Sequence, residues 1–520
     1  MNSRQPNILF FFTDMQRYDT IGALNNPRIQ TPNLDRLVRE GTAFENAFSP
    51  CPVCIPARYS MHYGLYAQRT GLVENRTMPA DNGASLPGLL AQNGYRTHAV
   101  GKCHFTPDPA AARGFQTRRI QEECVSDPAR DDYVAWLRDR GLDYYEPQGA
   151  RGEMYYIPQI SSYPVSAHPS NWVGDETLRF LREQRGRSEP WMVFSSFIHP
   201  HPPFALPKPW HKLYRTPEMP TPFLPENRAD LQVWINRFQN RYKYRDRGLD
   251  LQLLRTIRAY YYATISFVDF QIGRVLAELE EQGELDHTLI LFSSDHGELL
   301  GDYGCFGKRS MHDPSARVPL LARQPGRFAA GARCATAVSL VDLLPTTLES
   351  AGVPWRDRGL DGTDLADVAA GRVAPDRVVY SQYEAGPKAL HMAVNRRWKY
   401  VWSAGDDREF FFDRENDPRE VVNLAGAADA SAANALAALR GDLLAFCERA
   451  GVNGAVQPVG DGSLRWQRHG RLDESWSADP EAHLLVQDYP TPETADLNRR
   501  KDPADRYAWL ARWSRESARG

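Results

Sequence analysis

Long apolar runs are missing from this chain of 520 residues, and with them any segment near the ~18 residues a helix needs to cross a bilayer. Near the start only Ile8 to Phe12 are continuously apolar. That is short of the roughly 7–15 residues of a secretory core, so a cytoplasmic location is the expectation. Lysine is scarce, 8 against 54 arginines, so each lysine is a choice the chain rarely makes. Net charge is nearly absent as well, with 62 basic and 65 acidic residues. This removes the electrostatic case for a nucleic acid or an anionic membrane as partner. Cysteines are few and odd in number, seven in all, which argues for reduced thiols rather than a disulfide framework. No internal repeat or low-complexity tract occurs.

What remains is ordinary globular composition, 42% hydrophobic and 24% charged, which excludes a disordered or collagen-like chain. The length fits three or four domains, or one large α/β core with a smaller companion. Apolar strands alternate with helical patterns up to about residue 376. Ile8–Phe12, Tyr95–Val100, Trp191–Phe197 and Thr288–Ser293 read as strands. A helix capped by Thr31 and Pro32 carries Leu34, Leu37 and Val38 and closes at Gly41; Ser85–Asn93 and Leu251–Gln282 are further helices. Such alternation predicts a large, mainly parallel sheet sandwiched by helices, with chemistry beyond the carboxyl ends of its strands. Residues 377–455 change texture to short aromatic strands (Val378–Tyr383, Trp398–Trp402, Phe410–Phe412) and a helix around Ala432–Arg449, a small α+β domain with an antiparallel sheet. Residues 456–520 read as an extended tail. Its Trp466, Trp476, Trp509 and Trp513 would be costly to expose, so the expectation is packing on the body or on a second subunit of a homo-oligomer.

Cys51-Pro-Val-Cys54-Ile-Pro56-Ala-Arg58 contains a C-x-x-C. As half of a zinc site it lacks a second pair, because cysteines 103, 124, 305, 334 and 447 are scattered. As a redox pair it lacks a compact thioredoxin-like unit. The overlapping C-x-P-x-R, Cys54 to Arg58, would arise by chance about 0.05 times in this composition. Asp14 and Asp295-His296 each lie just past a buried strand, at the expected carboxyl edge. Two carboxylates and an imidazole suit a divalent cation such as Ca²⁺, Mn²⁺ or Mg²⁺, although an Asp at a strand end also commonly caps a turn. Lys102 and Lys308 are two of the eight lysines, and a compact ammonium suits an anionic oxygen beside a metal.

Cys54-Ile-Pro-Ala-Arg58 resembles the sulfatase signature, in which the cysteine becomes Cα-formylglycine. Asp14, Gly101-Lys102-Cys-His104, Pro200-His201, Asp295-His296-Gly297, Lys308 and Arg317-Val-Pro319 match in type, order and spacing. Tyr262-Ala263 with Asp269, and Asp413 to Leu424, match further out, so the resemblance spans about residues 5–425. It is most like the branch of choline sulfatases and phosphonate monoester hydrolases within the alkaline phosphatase superfamily. Met15 and His296 stand where many sulfatases have Asp and Asn, and both departures point to that branch.

The resemblance implies an alkaline phosphatase-like fold and a sulfuric-ester hydrolase. It implies one divalent metal, Ca²⁺ or Mn²⁺, held by Asp14, Asp295, His296 and the residue at Cys54. Hydrated formylglycine is a geminal diol: one hydroxyl attacks sulfur or phosphorus, and the other lets the carbonyl reform and expel the product. Arg58 would hydrogen-bond the diol, and Lys102 and Lys308 would grip sulfuryl oxygens. His104 would take the diol proton, and His201 would serve the leaving oxygen. Asn75, 21 residues after Cys54, resembles a sulfate contact, although Glu74-Asn75-Arg76 also reads as a loop turn. A formylglycine-generating maturation enzyme is the implied partner. A phosphonate monoester or phosphodiester hydrolase with the same site is the second reading. A metal- and anion-binding protein without catalysis, Cys54 remaining a thiol, is the third. For the alcohol half of the substrate, Tyr59, Phe105 and Phe204 are aromatics expected near the site, and Glu384 is a candidate acid for a quaternary amine. His199 is expected to pack or to bind substrate, and the other histidines to be structural.

Overall fold

The computed structural model describes residues 4–123, 128–142, 148–151, 154–243, 250–452, 454–460 and 462–475, with 504, 507 and 508 beyond them. Eight strands form the main sheet: β1 (Asn7–Thr13), β2 (Thr42–Phe44), β3 (Arg96–Gly101), β4 (Thr117–Ile120), β5 (Trp191–Ser196), β6 (Thr288–Ser294), β7 (Leu320–Arg323) and β8 (Ala332–Cys334). Their order is β8-β2-β7-β6-β1-β5-β3-β4, and only β7 runs against the others. The helices that matter here are α1 (Pro32–Glu40), α2 (Cys54–Tyr63), α3 (Leu86–Gln92), α4 (Pro169–Gln184), α5 (Leu251–Glu281) and α6 (Ala430–Arg449).

The central strands are apolar at successive positions through their middles because both faces are covered. In β1, Ile8, Phe10 and Phe12 join α2 and α3 in one core, while Leu9 and Phe11 join α1, α4 and α5 in the other. Each such side chain contributes roughly 1.5–3 kcal/mol on full burial, and β5 and β6 repeat the pattern with Met192 and Phe194 against Val193, and Leu291 against Phe292. Gly101 closes β3 at φ 86° and lies so near β5 that a Cβ there would meet Ser196 O at 1.9 Å. Only glycine lets the two strands deliver their ends side by side.

Thr31 does not cap α1 with its side chain. Its hydroxyl accepts from Gly22 N at 2.9 Å. The free N–H groups of α1 go instead to Asp269 on α5, at 3.2 Å from Asn33 and 2.7 Å from Leu34. Burial pushes the Asp269 carboxyl up to about 6.

The C-terminal sheet is antiparallel, β9 (Val379–Tyr383), β10 (Leu390–Val394), β11 (Trp398–Ser403) and β12 (Arg408–Asp413), packed on α6. Strand β10 went unread in the sequence. This sheet is joined to the body around the main sheet by buried charge. Lys399 Nζ lies 2.5 Å from Asp313 Oδ1, donates to Met311 O at 2.9 Å and pairs with Glu420. Arg414 Nη2 reaches Asp313 Oδ2 at 3.0 Å.

Of the two places expected for the tail tryptophans, the body and a second subunit, Trp466 takes the body. It sits in a hairpin, Val456–Pro458 with Leu464–Trp466, stacks on Trp402 and His391, and donates from Nε1 to Tyr400 Oη at 2.6 Å. It is buried by its own chain, so it gives no reason for a second subunit. Trp476, Trp509 and Trp513 lie outside the described residues, as does most of the tail. No helix among the described residues is long and apolar enough to cross a membrane.

Candidate active site

Parallel register assembles the site. Thr13 pairs with Ser294, so the next residues, Asp14 and Asp295, emerge together from β1 and β6. Gly101 pairs with Ser196 on one side and Ile120 on the other, so β3 and β4 send Lys102 and Glu123 to the same edge. Cys54 opens α2 beneath them. Asn75 Oδ1 accepts the N–H of Ile55 at 3.0 Å, which satisfies one of the unpaired donors of that helix start.

Candidate ligand atoms of Asp14, Cys54, Asp295 and His296 all lie within 4.8 Å of one another, and all four residues are buried. His296 Nδ1 faces Gly297 O at 2.9 Å, which only accepts, so Nδ1 carries the hydrogen. Nε2 then turns toward Cys54 Sγ at 3.4 Å, Asp295 Oδ1 at 3.5 Å and Asp14 Oδ1 at 3.8 Å. Acceptors converging in this way repel unless a proton or a cation stands between them. The donor set, two carboxylates and an imidazole, fits a divalent cation.

Three cations surround this group. Lys308 Nζ lies 2.7 Å from Cys54 Sγ. Lys102 Nζ lies 2.5 Å from Asp14 Oδ2 and 2.7 Å from Glu123 Oε2. Arg58, wholly buried, donates to Asp295 Oδ2 at 2.9 Å, Lys102 O at 2.7 Å and Ser196 Oγ at 3.0 Å, with Asp14 Oδ2 at 3.5 Å. Its hydrogen bonds thus go to the acid pair and its supports rather than to Cys54. Glu123 was not foreseen. Its carboxylate also meets Arg151 Nη1 at 3.1 Å and His201 Nε2 at 3.4 Å.

The sulfatase family model matches residues 6–353, and that of the N-sulphoglucosamine sulphohydrolase C-terminal region matches residues 301–446. The chain belongs to the sulfatase family. An arylsulfatase from Clostridium perfringens is 30% identical over 454 residues, covering 81% of this chain and 90% of its own. A choline-sulfatase from Rhizobium meliloti is 30% identical over 449 residues, covering 82% and 83%. The structure of a phosphonate monoester hydrolase of Agrobacterium radiobacter superposes with a TM-score of 0.73 at 25% identity, covering 89% of this chain and all of that one.

In this sulfatase the electrostatics follow from burial among paired charges. Burial and Asp14 push the Cys54 thiol up, but Lys102, Lys308 and His296 outweigh them and bring it down to about 7. Burial likewise opposes the Asp14 carboxylate, yet Lys102, His201, Lys308 and Arg58 hold it well below the usual range. Burial and the neighbouring Asp14 raise Asp295.

The histidines differ sharply. Burial, with Lys102 beside it, lowers His104 to about 4, and its Nδ1 is buried without a hydrogen-bond partner. His201 Nδ1 faces Pro202 O at 2.7 Å, which fixes a hydrogen there, and Nε2 faces Tyr155 Oη at 3.3 Å. His199 is a packing residue, bonded to Ser170 Oγ at 2.9 Å and stacked on His168.

The aromatics expected around the substrate are elsewhere. Phe105 and Phe204 are buried in cores, and Tyr59 stacks on Tyr63. Tyr155, edge-on to His201 at 5.9 Å, is the ring that approaches the site. Glu384 is half-buried, with burial and Glu74 pushing its carboxyl up. Cys51 points away, its Sγ 3.5 Å from Val73 O, and both it and Cys54 are free thiols.

Proposed function

We propose that this sulfatase cleaves a sulfate monoester with residue 54, converted from cysteine to formylglycine, as its nucleophile. The observation that carries the reading is the position of Cys54. It begins a helix in a C-x-P-x-R, faces the two carboxylates and His296, and lies 2.7 Å from a buried lysine. The thiol stands in for the aldehyde hydrate, which would supply one hydroxyl to attack sulfur and a second to expel sulfate. Asp14, Asp295 and His296 would hold a divalent cation, Ca²⁺ or Mn²⁺, which makes a nearby hydroxyl more acidic.

The chain's own residues do the rest. Lys308 and Lys102 balance charge on the sulfuryl oxygens in a water-poor pocket, where such contacts count most. Arg58 holds Asp14 and Asp295 together. His104, neutral at working pH with an open Nδ1, accepts the diol proton. His201, oriented by Pro202 O through Nδ1–H, serves the leaving oxygen from Nε2, which has first to take up a second ring proton beside Glu123, against the burial that holds its pKa well below the usual range. Asn75 keeps its carbonyl on Ile55, so its NH₂ is the end offered to the substrate.

Mass spectrometry of the Cys54 peptide, from protein produced with a formylglycine-generating enzyme, tests the reading together with hydrolysis of choline, aryl and sugar sulfates. Aldehyde and turnover are the expected result. An unmodified thiol in active protein would refute the mechanism. Phosphonate monoester hydrolysis is the second reading, favoured by His296 and Met15 and by the likeness to the Agrobacterium radiobacter enzyme. A phosphonate ester in the same panel separates the two.

A further inference from the structure

We propose that Glu123 selects substrate by charge, restricting the site to monoanionic esters and turning away dianionic phosphate monoesters. The inference rests on the ester-hydrolase reading above. Glu123 lies three residues past the end of β4, the strand next to the one that delivers Lys102, and its carboxylate lies within 4.8 Å of both Cys54 Sγ and a ring nitrogen of His201. It is held from two sides. Oε2 takes Lys102 at 2.7 Å, while Oε1 takes Arg151 at 3.1 Å, whose Nη2 also donates to Glu123 O at 3.0 Å.

Burial pushes the Glu123 carboxyl up, but His201, Lys102, Arg151 and Lys308 outweigh it and hold the group well below the usual carboxylate range. Gripped by Lys102 on one oxygen and Arg151 on the other, the group carries its negative charge into the site. Four cations, Arg58, Lys102, Lys308 and Arg151, stand against three carboxylates, Asp14, Asp295 and Glu123. A dianion places its second charge near a carboxylate that water does not screen, and like charges about 5 Å apart in such surroundings repel strongly. Asp14 and Asp295 face the metal position, whereas Glu123 faces His201, on the side of the leaving group.

The test is a ratio. For formylglycine-bearing, metal-loaded enzyme, kcat/KM is measured on 4-nitrophenyl phosphate and on 4-nitrophenyl sulfate. Glu123→Gln keeps shape and an acceptor for Lys102 while removing charge, and should raise the phosphate-to-sulfate ratio roughly tenfold or more. Glu123→Asp should leave the ratio near wild type. Arg151→Met strips a cation from Glu123 and should move the ratio the opposite way, so the idea stays testable if Glu123→Gln does not fold. Equal losses on both esters would reduce Glu123 to a structural support and overturn the proposal. A formylglycine-bearing wild type that hydrolyses neither ester would instead defeat the hydrolase reading beneath it.

Discussion

Arg58 offers a measurement of how far this site depends on charge balance. Replacement by methionine keeps an apolar stem against Phe12, whose ring lies 5.1 Å from the guanidinium, and removes every donor. Asp295 Oδ2 loses its partner at 2.9 Å, Asp14 Oδ2 its contact at 3.5 Å, and Ser196 Oγ and Lys102 O their bonds. Breaking a buried ion pair from one side costs about 3–5 kcal/mol, because the remaining charge stays buried. Unfolding entropy near ~2.1 cal/mol/K per residue makes that a fall in Tm of about 3–5 °C for a chain this long. The deficit should be full in chelator and should shrink on adding Ca²⁺ or Mn²⁺, because the ion returns positive charge to the same carboxylates. Calorimetric scans of both proteins, with chelator and with metal, read this directly. A variant that melts with wild type in chelator, or one with the same deficit in both conditions, would refute the reasoning.

Asp14→Asn and Asp295→Asn should each lose bound cation by elemental analysis, since each removes one of the two carboxylates of the site; full occupancy in both would place the metal elsewhere. His201→Ala should lose ~10²–10⁴ in rate on alkyl sulfates and far less on nitrophenyl sulfate, whose leaving group needs little help. Equal losses along a leaving-group series would remove His201 as the acid. His62, buried among Phe105, Phe115 and Phe194 with neither ring nitrogen partnered, has its pKa lowered by burial, with Arg58 next, to about 3. Above pH 6.5 it is neutral folded or unfolded. Below that, the unfolded chain takes a proton that the folded one refuses, and stability falls as pH drops toward 3. His62→Phe should therefore gain about 2 kcal/mol relative to wild type between pH 7 and 5 in urea titrations, and parallel pH profiles would exclude this.

The sequence reading succeeded where burial wrote itself into composition. β1, β5 and β6 are apolar at successive positions because both faces are covered, and a polar residue just after such a run has to stand at the sheet edge. That logic located Asp14 and Asp295. It failed for β4, whose Thr-Arg-Arg-Ile forms an outer strand with partner and solvent contacts; without a visible strand, Glu123 had no edge to stand on. Its nearest signal was position alone, Glu122-Glu123 some twenty residues after Lys102. Thr31 misled for a different reason: local preference named the cap, but a carboxylate from α5, distant in sequence, reached the helix start first. Tyr59, Phe105 and Phe204, each close in sequence to a site motif, were assigned to the substrate, whereas core packing and ring stacking took them and left Tyr155 by the site.

The buried contact of Lys399 with Asp313 and Glu420 bears on how proteins of this kind diversify. Met311, whose carbonyl also takes Lys399, stands three residues from Lys308, so a lysine of the C-terminal sheet braces the loop that carries a lysine of the site. A recombinant joining the first 376 residues to an unrelated C-terminal sheet would take Lys399 and Arg414 from the buried Asp313 and leave it Arg317, at 3.0 Å, from its own part of the chain, at a cost in stability. The two parts can therefore drift in loops and surface but have to be inherited as a matched set. Variation gathered in the C-terminal sheet has a route to the reaction without touching a substrate.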